Sequence, residues 1–330
     1  MIGRAPHLPG APPWSAASTP IWALVSGYER SLRVIKPLAF LQAFSDDSAG
    51  ETGDRRLFIA GYLNWAERWA EFADAWAEEL RRPPAIEYLR MVEAQNRRDQ
   101  FAGWDDDSVD RKLEALACVI ERFRPLSFQF SVSRRDFDLH VKQNSPRPLT
   151  KPHFDCIFGV ISMLANWSDQ SGFRVPIDFI FDEQDGVSTD VSLLFEQMIR
   201  PLPPTVQTLI NGHPIFRDDK GLSPLQAADM LAWHLRREHE MSETIPRLTV
   251  LRKSAGHLTG ELPLELLIKW GNQIQQVPGV PVAQSKSQWR KVRDVMFMAK
   301  EAGFVPPPKE PNESIADWTR RCFAKLIGRS

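Results

Sequence analysis

Cysteine is scarce: Cys118, Cys156 and Cys322 lie far apart in 330 residues and match neither a disulfide framework nor the spacing of a zinc site. Such usage fits a reducing cytoplasm, which is the expected location. No apolar run approaches the roughly 18–20 residues of a membrane span. The Pro-rich start MIGRAPHLPGAPPW also lacks the apolar centre of a signal peptide, so neither a membrane nor a secretory route is expected. Net charge is close to nil, formally −1, so the whole chain has no electrostatic footprint for nucleic acid or anionic lipid. Any basic surface must be local. Neither a G-x-G-x-x-G nor a P-loop pattern occurs, which leaves nucleotide binding by those routes unsupported. Histidines are few and scattered. His234 and His239 stand five apart, off the shared face that a helical metal pair needs, and both read as surface residues. His153 lies three residues before Cys156 on a run of core-type residues, where a packed cysteine is the simpler reading than a nucleophile.

What is present has globular proportions, with enough apolar residues for a sizeable core and a length that suits one large domain or one with a smaller companion. Four segments follow from the Pro and Gly clusters: an N-terminal arm over 1–37, a main domain over 38–240, an appended strand and helix over 241–284, and a helical tail over 285–330. The tail has ten Lys/Arg against five Asp/Glu, a local basic excess. In the main domain PLAFLQAFS and RRLFIAGYLN read as strands joined by a hairpin link, DDSAGETGD. The segment WAERWAEFADAWAEEL repeats Trp65, Trp69, Phe72, Trp76 and Leu80 at helical spacing, the mark of an amphipathic helix whose aromatic stripe is core. Asp105, Asp106 and Asp107 precede a second helix and read as its cap. Leu126, Phe128, Phe130 and Val132 alternate as in a half-buried strand. Further on, HFDCIFGVISMLANW is helical, VPIDFIFDEQDG is a strand, DVSLLFEQMIRPL is helical, and TVQTLINGHPIFRDDKG has room for one more strand. Ser223 reads as the N-cap of a last helix, SPLQAADMLAWHLRREHE. Strands alternating with helices imply an α/β layer with a covered, mixed sheet.

Two of these strands end in adjacent carboxylates, Asp46 with Asp47 and Asp182 with Glu183. A further acid, Asp229, stands among Leu225, Ala228, Met230, Leu231 and Trp233, where burial and helix propensity both disfavour it unless something pairs with it. Taken singly, each has a structural reading. Asp46 and Asp47 can cap a turn, Asp182 and Glu183 can begin a polar loop, and Asp229 can be held by backbone donors or by Arg236. If the strand ends and the helix converge, however, the acids repel one another, and a divalent cation relieves that conflict through hard oxygen ligands.

The order of parts, SDDS ending the first strand, then LFIAGYLN, a helix, a later strand ending FDEQ, and SPLQAADMLAW, resembles a prokaryotic family of unknown function. Its members carry an Asp-Glu-Ser-Gly motif near the start and a Gln-x-x-Asp helix near the end, and they are expected to have a ribonuclease H-like fold. The resemblance spans about residues 38–240. By position Asp46, Asp47 and Ser48 match the first motif, with Asp47 one methylene shorter than the family's glutamate and Ala49 in place of its glycine. Asp182 matches the acid of the later strand, and Gln226 with Asp229 match the terminal helix. Residues and resemblance together lead to an expected α/β, ribonuclease H-like mixed sheet flanked by helices, with a small helical C-terminal extension.

The expected activity is two-metal hydrolysis of nucleic-acid phosphodiesters with Mg²⁺ or Mn²⁺. Asp46 would be the bridging ligand and Asp182 and Asp229 ligands to one metal each, with Glu183 or Asp47 as auxiliary ligand or water-positioning group. Lys220 is a candidate phosphate contact whose simpler reading is a solvated loop lysine. The alternative is a catalytically silent ribonuclease H-like module that binds nucleic acid or a protein partner. Strands near 38–46, 56–64, 126–134 and 176–182 are expected in one sheet, with the 223–240 helix across it and Asp46 and Asp182 at the same end.

Overall fold

Apolar residues dominate LFIAGYLNW, LSFQFSV, IDFIFD and the first half of LQAFSDDSA, and these segments form the centre of the sheet in the computed structural model. The structure describes residues 15–24, 41–50, 55–143, 145, 149–183, 187–252 and 255–274, with positions 310, 313 and 321. Nearly all of the basic tail, and most of the N-terminal arm, lie outside the described residues. Six strands, β1 (Leu41–Ala49), β2 (Leu57–Trp65), β3 (Leu126–Val132), β4 (Ile177–Asp182), β5 (Ile215–Arg217) and β6 (His257–Glu261), make one sheet in the order β5-β4-β1-β2-β3-β6. Only β2 runs against its neighbours: it pairs antiparallel with β1 and β3, while β1–β4, β4–β5 and β3–β6 are parallel. The expected mixed α/β sheet is therefore present, and the strand of the 241–284 segment joins it as the edge beside β3.

Eleven α-helices occur among the described residues. They are α1 (Thr19–Leu24), α2 (Ala66–Arg81), α3 (Met91–Asn96), α4 (Asp106–Phe123), α5 (Arg134–Phe137), α6 (Pro152–Gln170), α7 (Val187–Ile199), α8 (Pro204–Gln207), α9 (Ser223–Met241), α10 (Pro246–Arg252) and α11 (Leu264–Ile274). None is long and apolar enough to cross a membrane. One face of the sheet is covered by α9 with α2 and α4 behind it, in a core built on Phe44, Tyr62, Trp69, Phe72 and Trp76. The opposite face is covered by α6 and α7, around Phe128, Phe179, Ile157 and Leu164. Trp69 and Phe72 meet edge to face at 5.2 Å and Phe72 and Trp76 stack at 5.3 Å, so the aromatic stripe is core. Trp65 departs from that stripe. It is the last residue of β2 rather than part of α2, and the strand's alternation sends it into the opposite core.

Of the two helix caps expected from sequence, one forms and one does not. Asp105 accepts a hydrogen bond from the Ser108 N–H at 2.8 Å and caps α4. Ser223 does not cap α9: it is the first helical residue, with Leu222 in the capping position and no side-chain cap. The turn Asp219–Gly221 just before the helix, whose Asp219 carbonyl accepts from the Leu222 N–H, fixes the chain's entry instead. His234 is also not at the surface. It is buried against α10, its Nδ1–H donating to the Met230 carbonyl at 2.7 Å, and Arg247 approaches its Nε2 at 3.4 Å. Cys156 is buried as expected.

β1 and β2 approach each other most closely at Gly61, which faces Ser45 across the ladder. A Cβ built there falls on the Phe44 carbonyl and close to the Ser45 Cα, both backbone atoms that cannot swing away. Gly61→Ala is therefore expected to destabilise the protein by about 1–3 kcal/mol, the usual cost of overpacking. A lower urea midpoint at unchanged m-value checks this, and an unchanged midpoint refutes the close-approach reading.

Candidate functional site

The adjacent acids of the first strand do not follow it; they are part of it. β1 runs on through Ala49, so successive side chains point to opposite faces and Asp46 and Asp47 part company. Asp46 shares the face of Phe44, beneath α9. Asp47 shares the face of Ala43, where its Oδ2 lies 3.2 Å from the Nε2 of His153 at the start of α6. The hairpin link is correspondingly shorter than DDSAGETGD, since Gly50 N–H already bonds back to the Arg56 carbonyl.

Parallel pairing of β1 with β4 matches Phe44 to Ile180 and Ser45 to Phe181, so the next rung sets Asp46 beside Asp182 at the same end of the sheet. Ile180 belongs to the α9-side core, and Asp182, two residues on, faces the same way. Asp229 comes down on this pair from α9, which crosses β1 and β2 with Ala227 and Ala228 fully buried. Small side chains at those positions permit the close approach. The fold thus brings Asp46, Asp182 and Asp229 together. Glu183 does not join them: its side chain is exposed, while its N–H donates to the Arg217 carbonyl at 3.0 Å.

Charge crowding shows in the ionisation of the three acids. Burial, followed by the charges of Asp229, Asp47 and Asp182, holds the Asp46 carboxyl well above the ordinary carboxylate range. Burial first, and then the charge of Asp219, pushes Asp182 up to about 7. Asp229 is also pushed up to about 7, chiefly by burial, against the opposing effect of the Met91 N–H, which donates to its Oδ2 at 2.7 Å. Each proton held here removes one mutual repulsion.

Three site residues carried no sequence signal as such. Asp219 is buried and also raised by desolvation, and it receives Nε and Nη2 of Arg90 on its two oxygens at 2.8 Å each. Arg90 is the cation of the site, from a polar stretch with no periodicity to announce it. His153 shares with Ser45, Asp46, Asp47, Phe181 and Asp182 a small cavity of about 10 Å³, room for about one water. Only its place at a helix start set it apart in the sequence.

Gln226, the glutamine of the terminal motif, has a structural task. Its Oε1 accepts from Trp76 Nε1–H at 2.8 Å and from the Leu89 N–H at 3.1 Å, and its Nε2 donates to the carbonyls of Asp219 at 3.0 Å and Lys220 at 3.4 Å. Arg236 does not hold Asp229. It donates to Ser48 Oγ at 3.0 Å and to Glu240 at 2.7 Å, farther along α9.

No family model, curated protein or solved structure matches this chain. The site is therefore interpreted from its own chemistry. Carboxylate oxygens in this number suit a hard cation. Among the described residues, however, no three His, Cys, Asp or Glu side chains are yet gathered into a ligand group.

Two outcomes follow from these contacts. Gln226→Ala leaves the Trp76 and Leu89 donors without partners and is expected to cost about 2–4 kcal/mol. Urea unfolding measures the loss, and amide exchange at Leu89 should quicken; unchanged protection would refute the bracket. The second outcome concerns pH. Asp182 and Asp229, raised to about 7 in the folded state, bind protons that the unfolded chain has released, so the stability they give is full below about pH 4 and is lost as pH rises through 7. His234 and His257, lowered to about 4 mainly by burial, have the opposite sign: their contribution is present above about pH 6.5 and is lost as pH falls through 4. The double variant Asp182→Asn, Asp229→Asn isolates the acids. Relative to wild type it should gain stability from pH 4 to pH 8, by roughly 1–2 kcal/mol or more in metal-free buffer. A difference independent of pH would count against the crowded-acid account.

Proposed function

We propose that this chain is a divalent-metal-dependent enzyme with a ribonuclease H-like domain that hydrolyses phosphodiester bonds of nucleic acid. One observation carries the reading: adjacent parallel strands set Asp46 and Asp182 side by side on one face, and a helix lowers Asp229 onto them, so that burial first, and then neighbouring carboxylate charge, holds all three above the ordinary carboxylate range. A half-buried, self-repelling set of carboxylates is costly for stability, and bound positive charge removes the cost. The mixed sheet and the chain order of the acids support the resemblance to the Asp-Glu-Ser-Gly, Gln-x-x-Asp family.

Hard oxygen donors fit Mg²⁺ or Mn²⁺, which would be held by Asp46, Asp182 and Asp229. Such an ion supplies Lewis-acid stabilisation of the phosphoryl oxygens and a more acidic water. The chain's own residues prepare for this. The Met91 N–H holds one oxygen of Asp229 and leaves the other for ligation. The Asp47 N–H holds Oδ1 of Asp46 at 2.7 Å. Arg90, fixed on Asp219, places a guanidinium next to the acids, where it can orient an anionic phosphate. Asp47 is the remaining member of the proposed ligand set. With its carboxylate on the opposite face it serves as the partner of His153 at the floor of the cavity, and from there adds negative charge behind Asp46.

A second reading is a silent module of the same fold that binds nucleic acid or a protein. It is favoured by the separation of the acids, which among the described residues do not form a ligand group, and by the commitment of Gln226 and Asp219 to structural bonds.

Metal titration and cleavage separate the two. Mn²⁺ at about 100 times its dissociation constant should stabilise the wild type by roughly 2.7 kcal/mol, read as a rise in melting temperature. Asp229→Asn keeps an acceptor for the Met91 N–H, so the metal-free variant should be as stable as wild type or more so, while its Mn²⁺ response shrinks. Mn²⁺-dependent cleavage of an oligonucleotide by wild type, lost by orders of magnitude in the variant, is the expected result. A metal response without cleavage of any strand would favour the silent module. Absence of any metal response would refute the metal site.

A further inference from the structure

Positive charge at the acid site is arranged as an edge. Arg90 spends Nε and Nη2 on Asp219, and among the described residues nothing accepts from its Nη1, although Asp182 and Asp229 both feel its charge. Arg217 stands opposite Asp182 in the β4–β5 ladder, exposed, its Nη1 bonded only to the Phe216 carbonyl at 2.8 Å. Lys220 is exposed three residues on, with Nζ 5.0 Å from the centre of the Tyr88 ring. Asp218, between them, is held below the ordinary carboxylate range first by hydrogen bonds, notably the Lys220 N–H at 2.9 Å, and also by the charges of Arg90 and Lys220. These contacts put the cations around one turn, directly beyond the ends of β4 and β5. Among the described residues neither Arg217 nor Lys220 is in an ion pair with a carboxylate, whereas Arg90 is locked in a bidentate one.

An anion approaching this end of the sheet meets the carboxyls of Asp46, Asp182, Asp229 and Asp219, and along this edge the positive charges of Arg90, Arg217 and Lys220. Several separated cations, one of them rigidly aimed, suit an extended polyanion better than a single small one, because each can take a different phosphate. We propose that Arg90, Arg217 and Lys220 form the phosphate-holding edge of the site and grip the backbone of a nucleic-acid strand at two or more successive phosphates. The assignment rests on the phosphodiester reading of the acids. It adds the direction of the strand's path: across the β4–β5 end of the sheet and past the Asp218–Gly221 turn, with the reacting phosphate over Asp46, Asp182 and Asp229. Lys220, for which a solvated loop lysine was the simpler expectation, becomes a binding residue.

Arg90→Gln strands the buried Asp219 and can unfold the region, so the exposed pair provides the test. Full-length Arg217→Gln, Lys220→Gln is compared with a variant of equal charge change on the outer helix α4, Arg111→Gln, Arg122→Gln. Both are titrated with a fluorescein-labelled single-stranded oligodeoxynucleotide of about 20 residues, longer than the usual single-domain footprint. Anisotropy is followed over a salt series, in EDTA and in Mn²⁺. The edge variant should bind about tenfold more weakly at low salt, and its salt slope should fall by about 1.4, two single-strand phosphate contacts at ~0.7 each. The α4 variant should stay within about twofold of wild type. Equal losses in both variants, no loss in either, or no binding by wild type overturns the edge. Metal-dependent cleavage that persists at wild-type efficiency in the edge variant overturns the edge and leaves the enzyme reading standing. Edge-dependent binding with neither metal response nor cleavage supports the edge and removes the enzyme reading.

Discussion

Much of this site depends on one buried amide. From α9, Gln226 ties two segments distant in sequence, the aromatic helix α2 through Trp76 and the strand-like approach to α3 through Leu89, to the turn before its own helix through the Asp219 and Lys220 carbonyls. An amide is suited to this because it both accepts and donates, and burial makes each bond costly to break. The bracket fixes Leu89, and so the next two residues, Arg90 and Met91, are delivered to Asp219 and Asp229. A carboxylate at 226 would only accept, and an aliphatic side chain would satisfy none of that set.

The second constraint is electrostatic. Side-by-side parallel strands bring Asp46 and Asp182 together whether or not their charges favour it, since register follows from the apolar residues before them, Phe44 with Ile180 and Ser45 with Phe181. The chain offsets the repulsion with Arg90 and with backbone donors from Asp47 and Met91, yet burial and neighbouring charge still raise Asp182 and Asp229 to about 7 and hold Asp46 well above the ordinary carboxylate range. Strand alternation also limits the damage. Asp47 is turned to the far face and paired with His153, so the acid next in sequence to Asp46 is not stacked on the same side.

Stability in turn is supplied by the layers on either side. The aromatic stripe of α2 and the small residues of α9 hold one face, and α6 holds the other, where Gly159 lets the helix settle against the Phe130 ring.

Sequence by itself determined the elements and their sides. Period-2 alternation gave the strands, 3.6-residue periodicity the helices, and their order implied a mixed α/β sheet; the acids Asp46, Asp182 and Asp229 stood out because charge in an apolar run demands an explanation. Local pattern could not say where β1 stops, and so it missed that Asp46 and Asp47 face opposite ways, that Trp65 leaves the aromatic stripe, and that His234 is buried. Those outcomes depend on ladder register and on which helix covers which face. Arg90, Asp219 and the partnership of Asp47 with His153 were likewise decided only by tertiary structure, since their partners lie 129 and 106 residues away and no local periodicity records a contact at that range. Propensity and burial act on neighbours along the chain; the site is made of neighbours in space.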